Sequence, residues 1–547
     1  MDVIVLILFA IVLHLLIRDS PLTYKGNAGE TVSVHALLIT SLFAVLLGRA
    51  ALQLWRAGTS GIFRTAVVLM WATTVMSFLV CLRAVLYPYE ADTMEGNILL
   101  QGVSVWINPA QLYPDPERDK AVSYIFPPLA GVFFGTIYDL TRRVLFYPRI
   151  LNFGLICVTG ILLTGFINLN RLQGYVVFSS WLCLQVFFSG YLCSIRVDAL
   201  LVFLAASGCC LFRLYLDRGQ AGYLLACGVV LCAAILCKQH GLFVLAGLSL
   251  TLLWKREIRA ALLLAAVALA PVGLLSVWLN LVTNGWYLRT LSLNAHRFSV
   301  GYSITALSAI TSYAISSVIL GCGIMAFWEL IRQRPKAGYP GIWLYVLGAC
   351  YFPIACAGVL QGGIGSMDNF AFELALLLPI VCARFMSGGR ALLACSLLFA
   401  LSLPYFVKYR PFATWLVYAP EQAQQVVRQI ESTHGPVLIS RRQEFLLRTG
   451  RPVLDDLGDM YFEFVPAGYR KVGTRINREI RSGKYQLIML EAGELDWLDP
   501  ETRTWLATHY NLSSDPERAL FQRQAHKACE SRESVILAAV GRSQRNV

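Results

Sequence analysis

Residues 198–254 read DALLVFLAASGCCLFRLYLDRGQAGYLLACGVVLCAAILCKQHGLFVLAGLSLTLLW: three apolar runs parted only by Asp217-Arg218-Gly219-Gln220 and by Lys238-Gln239-His240. A run of this kind is a membrane-crossing helix, because about 20 apolar residues at about 1.5 Å each cover a hydrocarbon core about 30 Å thick. The same signal recurs on both sides. Toward the N-terminus it marks 174–194, 150–168, 66–87, 34–53 and 3–17, and toward the C-terminus 260–280, 310–331, 341–360, 369–386 and 390–406. With 198–216, 222–237 and 241–254 these make thirteen candidate spans. The run at 3–17 has a signal-like apolar centre, but only Asp2 precedes it and no small-residue cleavage site follows, so it reads as a retained span.

Composition agrees. Of 547 residues 57% are hydrophobic and 14% charged, against about 25% charged in a soluble domain. Residues 1–410 hold 28 Lys/Arg against 16 Asp/Glu, whereas 411–547 hold 18 against 17, so the basic excess lies in the loops between spans. It is scattered, with no basic stripe interleaved with aromatics, which excludes a nucleic-acid partner. Fourteen of the fifteen cysteines fall in the apolar half without CxxC or Cys/His metal spacing, and they read as small packing residues.

An N-terminus inside puts 14 of the 28 basic residues, among them Arg213, Arg218, Lys255, Arg256 and Arg259, on the cytoplasmic side. Five of the others, Arg118, Lys120, Arg142, Arg143 and Arg149, share the long 88–149 loop, which the positive-inside rule weighs lightly. This frame places the 88–149 loop, the 281–309 loop, the GGIGSMDN turn at 362–369 and the tail outside.

Three regions follow: extra N-terminal spans in 1–65, a membrane domain in 66–410 carrying the 88–149 outer loop, and a tail of ordinary soluble composition in 411–547. Within the loop, FPPLAGVFFGTIYDL at 126–140 is too short and too punctuated to cross, and it reads as a helix against the outer surface. In the tail, GPVLIS (435–440), YQLIMLEAG (485–493) and ESVILAAV (533–540) read as strands and EQAQQVVRQIEST (421–433) as a helix, a small α/β unit.

The sharpest cluster is Glu90-Ala91-Asp92-Thr93-Met94-Glu95, three carboxylates in six residues just past a span. In a turn, Glu90 and Asp92 aim at one volume, as acid/base chemistry or a divalent cation requires; in a helix, Asp92 and Glu95 share a face. A solvated acidic edge is the plain alternative. Other charges interrupt apolar context at Arg196 and Asp198, at Lys238-Gln239-His240, and at Asn369 and Glu373. Ionisable groups inside membranes are costly and mark functional sites, although each could also be a helix-end pair, an interface snorkel or packing glue. The topology sets all of them on the outer side.

Taken in order, the acidic ExD motif, Tyr124 with Pro127-Pro128-Leu129, Arg196-x-Asp198 and the Lys238-Gln239 break resemble the C-type (GT-C) membrane glycosyltransferases, above all the bacterial aminoarabinose lipid A transferases and the protein O-mannosyltransferases. The resemblance runs over about residues 66–406. It implies a polyprenyl-phosphate sugar donor, an unidentified lipid, glycan or protein acceptor, and transfer outside the cytoplasm in the cell membrane, usually with inversion. It departs from the aminoarabinose enzymes at Phe126, where they often have Lys before the prolines, and in the two additional N-terminal spans.

Inverting transfer needs a carboxylate to take the acceptor's proton and cations to meet the departing phosphate. Asp92 is the expected base, with Glu90 or Glu95 orienting the acceptor or holding a divalent cation; no cofactor is otherwise required. Lys238 and Arg297 are the preferred phosphate partners, with Arg196, His240 and His296 as further cations. Asp198, Asn369 and Glu373 are candidate substrate contacts, and Tyr124 and Trp286 candidate sugar-stacking aromatics. The rival reading is a transporter or flippase of lipid-linked sugars, which would favour internal repeats and charges near the bilayer midplane.

Overall fold

The computed structural model describes residues 94–120, 126–141, 145–165, 194–293, 420–440, 443–459, 468–491, 494–512 and 518–523, together with scattered positions in 68–87, at 122 and 124, in 174–182 and at 464 and 465. The candidate spans 3–17, 34–53, 310–331, 341–360, 369–386 and 390–406 and the strand expected at 533–540 lie outside the described residues. Two compact units divide the chain, one of Met1–Pro109 with Ile125–Pro420, the other of Ala110–Tyr124 with Glu421–Val547.

The first unit is helical. Its described helices are α1 (Met94–Ile107), α2 (Leu129–Thr141), α3 (Phe146–Gly165), α4 (Val197–Arg218), α5 (Ala221–Cys237), α6 (Gly241–Trp254), α7 (Ile258–Val282) and α8 (Trp286–Leu293). Three are long and apolar enough to cross a membrane: Phe146–Thr164, Val197–Arg218 and Ile258–Val282. A helix is present within the 126–140 stretch, as α2. Helix α1 is an addition to the sequence reading, which left its range inside a long loop.

Local chemistry sets the turns. Helix α4 ends at Gly219, whose φ of 68° suits glycine best, and its N–H bonds to the carbonyl of Tyr215, so α5 begins two residues later. At the far end of α5, Lys238 is extended and Gly241 turns the chain so tightly that a Cβ there would sit 2.6 Å from the Ile235 nitrogen. Tyr215 near the end of α4 donates to Glu257 at the start of α7 at 2.9 Å, while Asp198 at the start of α4 meets Lys238 at the end of α5. Helices α4 to α7 therefore run alternately up and down. One rim of this group carries Arg218, Lys255, Arg256 and Arg259; the opposite rim carries Arg196, Asp198, Lys238 and His240.

The core between them is apolar, with Trp181, Phe212, Leu231, Leu248 and Leu264 at its centre. Outside it, α7 leaves Leu262, Leu274, Val277 and Leu281 more than half exposed, an apolar surface of the kind that hydrocarbon solvates. Helices α1 and α2 cross almost backbone to backbone, since a Cβ on Gly102 would lie 1.9 Å from the Gly131 carbonyl oxygen and 2.6 Å from the Gly135 Cα. Glycine is required at that crossing, as at other close helix contacts.

The second unit holds a four-stranded sheet in the order β1-β2-β4-β3 (β1 Val437–Ile439, β2 Leu487–Glu491, β3 Tyr510–Leu512, β4 Arg518–Arg523). Strands β1 and β2 are parallel, with Leu438 opposite Ile488, and the other two pairs are antiparallel. The helices around it are α9 (Pro420–Ser432), α10 (Gln443–Arg448), α11 (Arg470–Arg481) and α12 (Pro500–His509). Val472, Ile476 and Ile480 recur one turn apart and give α11 its buried face. Asp499 caps α12 by accepting from the Thr502 N–H at 2.6 Å, with Pro500 at the first helical position. The strands at 435–440 and 485–493 fall where the sequence places them, whereas β3 and β4 interrupt stretches that carry no clean alternation.

Candidate functional site

Glu95 stands in the first turn of α1, where the helix dipole favours a carboxylate. Its partner comes from α3: Arg149 pairs with it bidentately, Nε to Oε1 at 2.7 Å and Nη2 to Oε2 at 2.5 Å, and both side chains are 0% exposed. Arg149 also donates to the Tyr87 carbonyl at 2.5 Å, while Glu95 Oε1 accepts the Ile195 N–H at 2.7 Å. One guanidinium thus holds Tyr87 and Glu95, the described residues on either side of the stretch that contains Glu90 and Asp92. Both oxygens of this carboxylate are therefore engaged. The sequence reading has Glu95 orienting the acceptor or holding a divalent cation; in the structure its oxygens meet Arg149 and the Ile195 N–H.

Glu95 ties this layer to the segment leading into α4, where Asn152 of α3 also donates to the Ser194 carbonyl at 2.6 Å. Three residues past Ile195, Asp198 begins a second buried pair, Lys238 Nζ to Asp198 Oδ1 at 2.7 Å, with both side chains under 5% exposed. Next to it the Cys237 thiol donates to the Val197 carbonyl at 3.3 Å. Burying an ion pair costs desolvation that the attraction barely offsets, so two such pairs at one rim are poor candidates for mere stabilisers. Lys238 has three N–H donors and, among the described residues, spends one on the Asp198 carboxylate.

The other sequence candidates are placed as follows. Arg196 is the half-buried residue before α4, in extended backbone with φ −130°. His240 closes the Lys238-Gln239-His240 turn and stacks on Phe243 at 5.4 Å. Trp286 opens α8 with the Arg289 guanidinium 5.2 Å over its ring. Tyr124 belongs to the second unit, 3% exposed and edge-on to Tyr113 at 6.4 Å. Its ring is thus packed against Tyr113 and buried. Glu90, Asp92, His296, Arg297, Asn369 and Glu373 lie outside the described residues. Among the described residues no group of three or more His, Cys, Asp or Glu is set to hold a metal ion.

Sequence reasoning missed Arg149, which it counted only as one of five basic residues in a long loop. The signal was present: an arginine directly before the apolar run at 150–168 is a charge at a membrane boundary and needs a partner.

With this geometry in hand, the fold can be compared with solved structures. The crystal structure of ArnT from Cupriavidus metallidurans bound to undecaprenyl phosphate matches over 84% of this chain and 99% of that one, with a TM-score of 0.51 and 14% identity. This chain has an ArnT-like fold. ArnT from the same organism in the apo state matches over 82% of this chain and 97% of that one, with a TM-score of 0.43 and 13% identity. No family model and no curated protein matches the chain. The ArnT-like fold accords with the resemblance drawn from Asp92, Arg196-x-Asp198 and Lys238-Gln239.

Proposed function

We propose that this protein is an integral membrane glycosyltransferase that moves a sugar from a polyprenyl-phosphate donor to an acceptor outside the cytoplasm. One observation carries the reading: two buried ion pairs, Glu95–Arg149 and Asp198–Lys238, joined through the 195–198 segment at one rim of a helical unit with an ArnT-like fold. ArnT's structure with undecaprenyl phosphate supports a polyprenyl-phosphate donor here as well.

In this reading Asp92 takes the proton of the acceptor's hydroxyl as that oxygen attacks the anomeric carbon. The bond from that carbon to the phosphate oxygen breaks with inversion, and polyprenyl phosphate leaves with the electron pair. Lys238, held by Asp198, and Arg297 meet the growing phosphate charge, where fixed cations in a poorly hydrated site act strongly. Arg196, His240 and His296 supply further positive charge, and Glu90 orients the acceptor. Asn369 and Glu373 contact the substrate.

Sidedness has its own support. The rim with Arg218, Lys255, Arg256 and Arg259 is the one the positive-inside rule sets toward the cytoplasm, so the rim with the two ion pairs faces out. Residues 110–124 fold into the same compact unit as the tail, which supports a tail on the outer loop's side.

The test is mass spectrometry of the envelope glycolipids and glycans of cells that lack the protein. The expected result is the loss of one glycosyl modification together with build-up of its lipid-linked donor. Unchanged envelope glycans and donor pools would reject the reading.

A further inference from the structure

We propose that the C-terminal unit is a clamp on the outer loop, closed by Arg475, and that it restrains the covalent link between α1 and α2. The unit is built from two stretches far apart in sequence, the tail and Ala110–Tyr124. Arg475 of α11 joins them. Its Nη2 and Nε donate to the Pro116 carbonyl at 3.1 and 3.3 Å, 359 positions away. The guanidinium is held on its other edge by Asp455, at 2.6 Å, and by Glu479, at 3.1 Å. The Tyr485 hydroxyl bridges those two carboxylates, 3.0 Å from each, and Lys484 pairs with Glu479 at 2.7 Å.

Pairing on this scale is more than a loop contact on a surface requires. Burial works against the charge on Arg475, yet hydrogen bonds and charge from Asp455 and Glu479 outweigh it, and the pKa stands above that of an ordinary arginine. Burial also draws Lys120, from the loop, below the usual lysine range despite the nearby Asp455 and Asp119. The loop adds apolar anchors: Leu112, Tyr113, Val122 and Tyr124 are each at most 3% exposed. A buried carbonyl met by a charged donor and flanked by four buried apolar side chains is a docked segment.

What the clamp holds gives it a role. The 110–124 segment is the covalent link between α1, which begins with Met94 and Glu95, and α2, whose approach fixes Gln101 against the Phe126 carbonyl at 3.1 Å. Securing Pro116 restrains that link. Arg475 is thus a positioning residue, and its effect on transfer, unlike the docking itself, rests on the function proposed above.

The test uses the full chain in its membrane, with a protease site inserted in 411–419. After cleavage and washing, the tail should stay on the membrane when Arg475 is present. It should be released, with at least a tenfold lower retained fraction, in Arg475→Ala. Because that variant could unfold the tail, Tyr113→Ala with Tyr124→Ala alters only the loop and should release a tail that remains folded by circular dichroism. A tail that washes off the unaltered cleaved protein, or that stays equally in both variants, overturns the clamp. Sugar transfer measured on the same samples should persist while the tail is retained and should fall in kcat, with the donor KM little changed, once it is released. Transfer by no sample would reject the function and leave the docking result standing.

Discussion

Glu95 and Arg149, 54 positions apart, form a bidentate ion pair with no solvent on either side chain. Removing one member leaves the other charged and uncompensated, which costs about 3–5 kcal/mol for a buried pair. Glu95→Gln and Arg149→Met should each fall in thermal stability by that order. The double variant should lose less than the sum, since it leaves no lone charge. Additive losses in the cycle would show that the pair is not a coupled unit.

The pair Lys238–Asp198 separates structure from donor recognition. Lys238→Ala and Asp198→Asn should both destabilise the protein, but Lys238→Ala should in addition weaken donor binding by about 1.5–3 kcal/mol, the scale of a charged hydrogen bond. Titration of the detergent-solubilised variants with a polyprenyl-phosphate ligand measures this. Equal donor affinity in Lys238→Ala and the parent would remove Lys238 from the phosphate site.

The crossing of α1 and α2 gives a prediction about packing alone. A Cβ on Gly102 would meet backbone of Gly131 and Gly135 closer than any contact allows, so Gly102→Ala should cost at least the upper part of the roughly 1–3 kcal/mol typical of overpacking. Gly154 of α3 has nothing within 4 Å of its added Cβ, and Gly154→Ala should cost nothing. Thermal denaturation in one detergent ranks the two; equal stability would contradict the backbone contact.

How much of this could be read beforehand depends on the kind of residue. Helices at 197–218, 221–237, 241–254 and 258–282 are legible because apolar length and charged breaks are local properties. Asp198 and Lys238 are legible as candidates, since a charge between apolar runs stands out, but that they pair is not, because 40 positions separate them. Arg149 and Arg475 are hidden for the same reason: each looks like one arginine among many until the fold brings it to Glu95 or to Pro116. Helix α1 escapes notice because its MEGNILLQGVSVWI sequence is neither long enough to span nor regularly amphipathic.

Acid should weaken the second unit. Burial raises the Glu479 pKa, but the Lys484 hydrogen bond, the Arg475 charge and the Tyr485 hydrogen bond outweigh it, so it lies below the ordinary glutamate value. Asp499 is lowered likewise: its burial is outweighed by hydrogen bonds from Thr502 and by Arg481. A carboxylate depressed in the folded state stabilises above its unfolded pKa, about 4, and loses that contribution as pH falls through the folded value. Hydrogen exchange of peptides in 470–512, corrected for intrinsic rate, should show protection constant from pH 7 to 5 and declining below about 4. Protection that rises on acidification would contradict these pairings.

The most direct measurement takes the purified protein in liposomes with polyprenyl-phosphate-linked sugars and an envelope extract as acceptor, and follows free polyprenyl phosphate and acceptor mass together. The protein should release polyprenyl phosphate in step with an acceptor gain of one glycosyl unit, and Asp92→Asn, which keeps volume but loses basicity, should be slower by roughly 10² to 10⁴-fold with donor affinity nearly retained. Near-normal transfer by Asp92→Asn would remove Asp92 as the base, and donor that stays intact with the unaltered protein would contradict the transferase itself.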